Sequence, residues 1–425
     1  MNNDYARESV PQSERKSWFS ISLVWIAVGI DLSAVIFGVE LGSGMSFNDA
    51  LISVLIGSAL LGILAAFCAY VGAATGLSTS MISRFTFGSS GAKFVSLFLA
   101  LALLGWFGVQ TGFFADNAFV VVQEALGLSV PIPLLAAIGG ILMTSTAFYG
   151  FKAFEKLSLW AVPLLLILIF LTIILAANQF GFDALSAPVD NIYSYGMAIS
   201  LAISVFITGA VISPDISRWA KTKKDAILAS FFGFFIGNSF MIIVSIILSR
   251  IMDESSLTNI MIMVGLGVPG ILVIILAQWT TNTSNAYSSG LSLAVIFSKT
   301  NKDLLTLIAG LTGTLLAVFG IYDNFMSFLN IVSMFITPVA GVYTASYYFG
   351  KSHIFTAEIW KGYKMMPLAA WFLGAVAGWL TSDAPTGVEA FTFTTIPSLD
   401  SFIVAFVIQA IFVTISKKDT ERSKV

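Results

Sequence analysis

The chain has 425 residues, of which 57% are hydrophobic and only 10% are charged. Ordinary globular proteins have about 25% charged residues, so this composition excludes a water-soluble enzyme and indicates a protein embedded in lipid. The formal net charge of −2 gives no reason to expect a nucleic-acid partner. A single cysteine, Cys68, and a single histidine, His353, exclude a disulfide framework and the usual zinc sites.

The amino-terminal segment 1–17 is polar and lacks the short apolar core and small-residue exit of a cleavable signal peptide. It contains Pro11 and three basic residues, a composition typical of a disordered tail. We predict that this segment is a disordered cytoplasmic tail and that 417–425 forms a second cytoplasmic tail.

Long apolar segments follow, each near the roughly 20 residues that a helix needs to cross about 30 Å of hydrocarbon. Twelve such segments are predicted to span the membrane: 18–42, 51–73, 94–124, 132–150, 157–178, 195–212, 226–252, 260–297, 304–322, 325–349, 366–380 and 398–415. The third and eighth are long enough that we expect them to tilt or to protrude.

The basic residues give an independent test of these spans, because short cytoplasmic loops collect Lys and Arg. Of the 21 Lys and Arg residues, 20 fall in the tails and in alternate connections on one side, and only Arg250 falls opposite. Both termini are therefore predicted to be cytoplasmic, in a multi-pass protein of the plasma (inner) membrane. The outer connections 179–194 and 382–397 hold no domain-sized insertion, so no protein partner is implied.

Two acidic residues lie within predicted spans, whereas no Lys or Arg lies deep within one. Asp31 is near the middle of the first span, and Asp116 lies in the third. A charge at the bilayer centre costs about 2.5–3.5 kcal/mol on insertion scales, so it usually faces a cavity or a partner. A bound cation or a proton is the expected compensation here. For Asp116 the competing interpretation is a position near the outer end of its helix, satisfied by water or by Asn117.

Helix-breaking residues interrupt the first and sixth spans, at Gly29 and at Gly209 with Pro214. Non-helical backbone at membrane depth is tolerated only where it is buried in protein or lines a cavity. Breaks in the first and sixth spans indicate two five-helix copies, 18–178 and 194–350, inverted across the membrane because five is odd. Two further spans follow in 365–416. The competing interpretation is that both glycines only allow close helix packing.

The third and eighth spans are the matching third members of the two copies, and both have a polar middle. Trp106 and Gln110 are four residues apart in the third, so one helical face presents an indole with an amide beside it. This pair suits a flat heterocycle, whose ring stacks while the amide reads its polar edge. The competing interpretation is that Trp106 only fills helix packing.

The eighth span contains six consecutive hydroxyl or amide side chains, beginning at Thr280. Such a run is costly in a membrane unless it coordinates a ligand or hydrogen-bonds across helices. Small hard cations prefer several oxygen ligands, and Thr280 and Thr281 offer two hydroxyls. The carbonyls of Ala277 and of the loosened turn at Ala27 and Ile30 complete an oxygen cage of sodium size. A water-lined pore without a bound ion is the competing interpretation.

Several motifs together resemble the nucleobase:cation symporter-1 family, and especially its cytosine permease branch. The motifs are SRFTFG at 83–88, GWFG at 105–108, PDISRW at 214–219, GNS at 237–239 and WTTN at 279–282. The resemblance covers nearly the whole chain. It implies an all-helical membrane protein with the inverted-repeat arrangement of the sodium-coupled leucine transporter, ten core helices and two peripheral ones.

The resemblance also implies where the ligands bind. Carried over position by position, the family's sodium site falls on the carbonyls and hydroxyls of the oxygen cage named above. The substrate ring is expected to stack on Trp106 and to approach Phe206 from its other side. Asn282 and Asn285 are the candidate amides for its polar edge, with Asn282 the best placed. Gln110 matches the position used by hydantoin-transporting relatives.

The chain departs from the cytosine carriers at three of these positions. Leu103 replaces a glutamine three residues before the tryptophan, and Val205 replaces a serine just before the aromatic residue of the sixth span. Conversely, Asp31 places a carboxylate where relatives tend to have a neutral side chain. A polar edge of the substrate that is left unpaired in a dry site costs about 1–3 kcal/mol. The loss of two hydrogen-bonding groups therefore weakens the assignment of cytosine as the substrate.

Two roles for Asp31 stay open at this point. If ionised, its carboxylate accepts hydrogen bonds from a substrate rich in N–H groups or one that bears a positive charge, such as an aminopyrimidine or a purine. If burial keeps it protonated, Asp31 instead takes up a driving proton.

The sequence therefore predicts a secondary transporter that imports a nucleobase or related planar heterocycle by sodium symport. A cytosine-like base is the preferred substrate. Sodium is the coupling ion, and no organic cofactor is expected. A proton-coupled carrier of the same fold for a purine, hydantoin, allantoin or vitamin-precursor pyrimidine is the alternative. A channel or a membrane-embedded enzyme is disfavoured, since the chain has no HExxH motif, no nucleophile elbow and no second histidine.

Overall fold

The computed structural model describes residues 4–189, 192–350, 355, 358–382 and 387–422, so His353 and both chain ends lie outside the described part. The α-helices of these ranges, in chain order, are α1 (Trp18–Gly29), α2 (Leu32–Gly44), α3 (Phe47–Thr75), α4 (Thr79–Leu126), α5 (Ile132–Phe148), α6 (Phe151–Phe180), α7 (Tyr195–Ser204), α8 (Ile207–Val211), α9 (Pro214–Ser217), α10 (Lys223–Met252), α11 (Leu257–Met263), α12 (Gly267–Ile296), α13 (Lys302–Val318), α14 (Phe325–Phe349), α15 (Met365–Thr381) and α16 (Pro397–Arg422).

Each predicted span coincides with one of these helices or with a group of short ones. Within the described ranges, six helices are long and apolar enough to cross a membrane, and the bent pair α1 and α2, with an angle of 61° between its halves, makes a seventh. The helices at the other predicted spans are shorter, broken or more polar. The total of twelve spans therefore stays a prediction.

The first span breaks at the predicted place. α1 ends at Gly29, Ile30 leaves the helical region, and Asp31 caps the amino terminus of α2 in an extended conformation. Gly29 packs so closely on α10 that an added Cβ would lie 2.8 Å from the backbone of Gly237. Close packing and the break thus occur together, and Asp31 lies at the break instead of inside a continuous helix.

The sixth span breaks in two places, and only one of them was predicted. α8 ends before Ser213, and Pro214 occupies the first turn of α9, where a missing N–H costs nothing. The second break separates α7 from α8 at Val205 and Phe206. The expected interruption at Gly209 is wrong, because this glycine lies inside α8, where an added Cβ would meet the Phe206 ring at 2.6 Å.

We expect Gly29→Ala to lower the apparent melting temperature of the purified protein, because the new methyl group must displace backbone of α10. Overpacking of this kind costs about 1–3 kcal/mol. Gly42→Ala is the matched control, since its nearest neighbour is the Ser249 hydroxyl at 3.0 Å, which can rotate away. Equal melting temperatures for the two variants would contradict the close contact described here.

The third and eighth predicted spans have different limits in the structure. α4 begins at Thr79 and kinks at Gly88, whose φ of 81° is readily adopted by glycine and rarely by other residues. At this kink Ser89 and Ser90 donate backbone hydrogen bonds to the carbonyls of Trp360 and Gly362. The eighth span is not one tilted helix, because residues 264–266 separate α11 from α12.

Helix packing brings the two broken spans to the centre of the molecule. α12 packs most extensively on α4, α10 packs on α3, and α1 packs between α10 and α6. The breaks between α1 and α2 and between α7 and α8 face the polar middles of α4 and α12, because residues of all four regions line one cavity.

The amino-terminal segment is packed against the helices, so the expected disorder is wrong for residues 4–17. Buried Asp4 forms an ion pair with buried Lys302 at 2.8 Å, and Arg218 donates to the carbonyls of Asp4 and Tyr5 at 2.9 and 2.6 Å. Arg7 donates to three carbonyls at the end of α12. Sequence polarity predicted a solvated segment, but these polar groups instead satisfy helix termini.

Candidate functional site

A cavity lies where the two broken spans meet α4 and α12. Its volume is about 30 Å³, room for one or two water molecules, so a ring-sized ligand needs the surrounding side chains to move apart. Aromatic rings and aliphatic side chains form most of the wall: Trp25, Trp106 and Phe206, with Val28, Leu103 and Val205. Its polar lining consists of Asp31, Thr208, Thr281, Ser284 and Asn285.

Three buried rings surround the cavity. Trp106 and Phe206, the predicted stacking pair, both line it, and the Trp106 indole N–H donates to the Thr208 hydroxyl at 3.4 Å. Trp25 is a third ring that the sequence reasoning missed, and it meets Phe206 edge-on at a centroid distance of 6.2 Å. Its position one helical turn before Gly29 is the sequence signal that could have identified it.

Hydrogen bonds to both carboxylate oxygens hold Asp31 at the break. The Ser33 hydroxyl donates to Oδ1, and the Ala34 backbone N–H donates to the same oxygen at 3.1 Å. Gln110 Nε2 donates to Oδ2 at 3.3 Å and also to the Ser33 hydroxyl. Gln110 thus contacts the carboxylate beside the cavity and is not itself part of the cavity wall.

The two candidate amides of α12 face different neighbours. Asn285 lines the cavity. Asn282 is fully buried against α4 and α5, where its Nδ2 donates to the Phe107 carbonyl and to the Thr111 hydroxyl at 3.1 and 2.9 Å. The structure therefore does not bring Asn282 into the cavity, although its Oδ1 accepts from Asn285 at 3.3 Å.

Four of the five oxygen atoms predicted to form the sodium cage converge between α1 and α12. The Thr280 hydroxyl lies 3.0 Å from the Ala27 carbonyl and 2.7 Å from the Ala277 carbonyl. The Thr281 hydroxyl lies 3.1 Å from the Val28 carbonyl and 3.2 Å from that of Ala277. Sequence reasoning did not name the Val28 carbonyl.

Ile30, the remaining predicted member of the cage, directly follows the last residue of α1. It lines a small apolar cavity of about 10 Å³ together with Ala277 and Asp31. The structure thus places all five predicted cage residues at the junction of the first break and α12.

Asp116 lies apart from this region. It is partly exposed on α4 and interacts electrostatically with Asp323. Asn117 is engaged elsewhere, because it donates to the Phe113 carbonyl at 2.6 Å and accepts from the Thr258 hydroxyl. Asn117 is therefore not the partner of Asp116.

The arrangement of these elements is typical of one class of protein. A helical membrane protein with two broken spans, an aromatic cavity between them and a cluster of oxygen ligands beside it has the layout of a secondary transporter.

Comparison with known proteins identifies the family. Residues 9–395 match the family of permeases for cytosine/purines, uracil, thiamine and allantoin. The chain is 36% identical to the cytosine permease of Escherichia coli strain K12 over 390 residues, 90% of this chain and 91% of that protein. It is 23% identical to the hydantoin permease of Microbacterium maritypicum over 90% of this chain and 85% of that protein.

Solved structures agree on the fold. Mhp1, a nucleobase-cation-symport-1 family transporter in a closed conformation with bromovinylhydantoin bound, matches with a TM-score of 0.82 at 19% identity, over 97% of this chain and 94% of that one. A Na+-coupled sialic acid symporter matches with a TM-score of 0.70 at 11% identity, over 97% and 92%. These matches confirm the predicted fold class of an all-helical, leucine-transporter-like membrane protein.

This chain belongs to the permease family for cytosine/purines, uracil, thiamine and allantoin. It is a multi-pass membrane transporter of the nucleobase type and not an enzyme.

Proposed function

We propose that this protein imports a small planar nitrogen heterocycle by sodium symport and alternating access. The observation that carries the proposal is the position of Thr281, whose side chain lines the aromatic cavity and whose hydroxyl belongs to the oxygen cluster beside it. One residue thus connects the place for a flat ligand with the place for an ion.

The oxygen cluster has the chemistry that sodium prefers. Hydroxyls of α12 donate to carbonyls that the end of α1 exposes, so both kinds of oxygen already lie within about 3 Å of each other. A sodium ion between them would replace the hydroxyl hydrogens as the positive partner of the carbonyl oxygens. No Lys or Arg side chain lines this region in the described part of the chain.

Coupling follows from the shared helices. An ion that ties Ala27 to Thr280 fixes the end of α1 against α12, and this positions Asp31 and Thr281 around the cavity. A substrate in the cavity orders the same two elements, so each ligand raises the affinity for the other. Movement of the broken spans against α4 and α12 would then expose the cavity to one side of the membrane at a time.

The cavity supports a heterocycle that differs from cytosine in its polar edge. Trp106 and Phe206 supply the faces for stacking, whereas Leu103 and Val205 both line the cavity and offer no hydrogen bond. The polar groups that remain for the ligand's edge are Asp31, Thr208, Thr281, Ser284 and Asn285, and Asn282 acts through its contact with Asn285.

The proposal is tested by thermal-shift measurements on the purified protein with nucleobases, hydantoins and vitamin-precursor pyrimidines, each with and without sodium. A ligand that binds the folded state raises the melting temperature by mass action. We expect at least one planar heterocycle to do so, and the shift to require sodium at fixed pH. A shift that is independent of sodium but varies with pH would favour the proton-coupled alternative.

A further inference from the structure

We propose that Asp31 makes this transporter selective for a planar heterocycle that carries a positive charge, with the charged group directed at the break between α1 and α2. This inference rests on the proposed function, since it names the substrate class of the same cavity.

Asp31 brings a charge into the cavity without a protein partner of opposite charge. Its side chain is 8% exposed, and among the described residues it is the only ionisable one that lines the cavity. The ion pairs within the described ranges lie elsewhere and join Lys16 to Glu155, Lys152 to Glu14 and Lys302 to Asp4. A buried carboxylate is costly unless something pairs with it.

The structural role of Asp31 does not explain its charge. Its side chain caps α2 by accepting from the Ala34 backbone N–H. Asparagine and serine cap helices about as well as aspartate, and either would do so here without bringing a charge into the membrane. The carboxylate is therefore available for a second purpose.

Behind Asp31, a second hydrogen-bond acceptor is buried without a donor among the described residues. Gln110 donates its Nε2 hydrogens to Asp31 and Ser33, and this leaves the Gln110 carbonyl oxygen buried and without a donor among the described residues. The opposite orientation of this amide would place its oxygen against the carboxylate. The side-chain donor to Asp31 Oδ2 is Gln110, at the long distance of 3.3 Å. A carboxylate that lines the cavity suits an amidinium, guanidinium or ammonium group.

The remaining walls suit the same ligand. The electron-rich faces of tryptophan and phenylalanine attract cations as well as flat rings, and Trp25, Trp106 and Phe206 surround the cavity. Leu103 and Val205 cannot read the hydrogen-bonding edge of a neutral base. A carboxylate among three aromatic rings, with aliphatic neighbours, is a site for a planar cation.

A competing use of the same carboxylate is to bind the coupling ion. Ile30, the neighbour of Asp31, is a proposed sodium ligand, so Asp31 lies close to both ligands. The two uses differ in what removal of the charge does to the preference between a charged and a neutral substrate.

The experiment compares two pyrimidines that differ only in one substituent. The aminomethyl compound is positively charged at neutral pH, and the hydroxymethyl compound is neutral. Binding of each to the purified full-length protein is measured by calorimetry in sodium chloride, for the wild type, for Asp31→Asn and for Asp116→Asn. Asp31→Asn keeps the helix cap and the shape while it removes the charge. Asp116→Asn controls for the loss of a carboxylate outside the cavity.

We expect the wild type and Asp116→Asn to bind the charged pyrimidine about 10- to 100-fold more tightly, the range for hydrogen bonds to a charged group. Asp31→Asn should lose this preference. Equal binding, or tighter binding of the neutral pyrimidine or of cytosine, by the wild type would overturn the inference without harming the proposed function. A preference that Asp31→Asn retains, together with weaker sodium binding, would also overturn it. If no heterocycle binds, both proposals fail.

Discussion

Replacement of both Thr280 and Thr281 by valine is expected to abolish the sodium dependence of substrate binding. Each valine keeps the shape of the side chain and removes one oxygen from the proposed ion site. Since a lost hydrogen-bonding group at a charged ligand costs about 1.5–3 kcal/mol, two losses should weaken sodium binding by at least about 100-fold. Titration of sodium against the thermal shift caused by a bound heterocycle measures this effect.

Thr283→Val is the matched control for this prediction. Thr283 lies on the same helix, but its hydroxyl donates to the Trp279 carbonyl one turn earlier and takes no part in the oxygen cluster. Its variant should keep the sodium affinity of the wild type. Normal sodium dependence in the double valine variant would place the sodium site elsewhere in the protein.

Trp106→Ala is expected to remove most of the substrate affinity. Stacking of a base on an aromatic side chain contributes about 1–3 kcal/mol, and Trp106 also packs edge-on against Phe325 and Phe328. We expect the dissociation constant of the best ligand to rise by about 10- to 100-fold, with partial recovery in Trp106→Phe. Binding calorimetry on the three proteins measures this series.

Trp160 serves as the control for the loss of a large aromatic side chain. It lies on α6 with 76% of its surface exposed, so Trp160→Ala should leave the dissociation constant unchanged. If Trp106→Ala and Trp160→Ala behave alike in binding, the tryptophan of α4 only fills helix packing.

The apolar helices and the first break were predictable because they depend on local properties of the chain. About 20 apolar residues identify a segment that can cross a bilayer, and Gly29 marks the end of α1. The residues of the oxygen cluster were predictable for a related reason, since hydroxyls at membrane depth need a partner. In the structure these hydroxyls donate to carbonyls of the broken helix.

The break at Val205 and Phe206 was not predictable from local sequence, because neither residue weakens a helix as glycine or proline does. Contacts made across the fold determine it. Phe206 packs on Trp25 and Phe234, which lie on α1 and α10. The orientation of the Asn282 side chain was not predictable either, because it depends on hydrogen-bond acceptors on α4, a helix distant in sequence.

The prediction of disorder for the amino-terminal segment failed for a different reason. Charged side chains usually indicate a solvated segment, but here they form hydrogen bonds and an ion pair with groups near helix ends. Arg218 and Lys302 together hold Asp4 in a buried position. A pairing between residues separated by about 300 positions leaves no periodic signal in the sequence.

The kink at Gly88 ties the last two helices to the rest of the molecule. The backbone N–H groups of Ser89 and Ser90 donate to carbonyls in the turn that leads into α15. A truncated protein that ends before residue 358 would lose both of these acceptors. Although every residue of the cavity lies on earlier helices, α15 and α16 are therefore a poor choice for trimming when a smaller carrier is engineered.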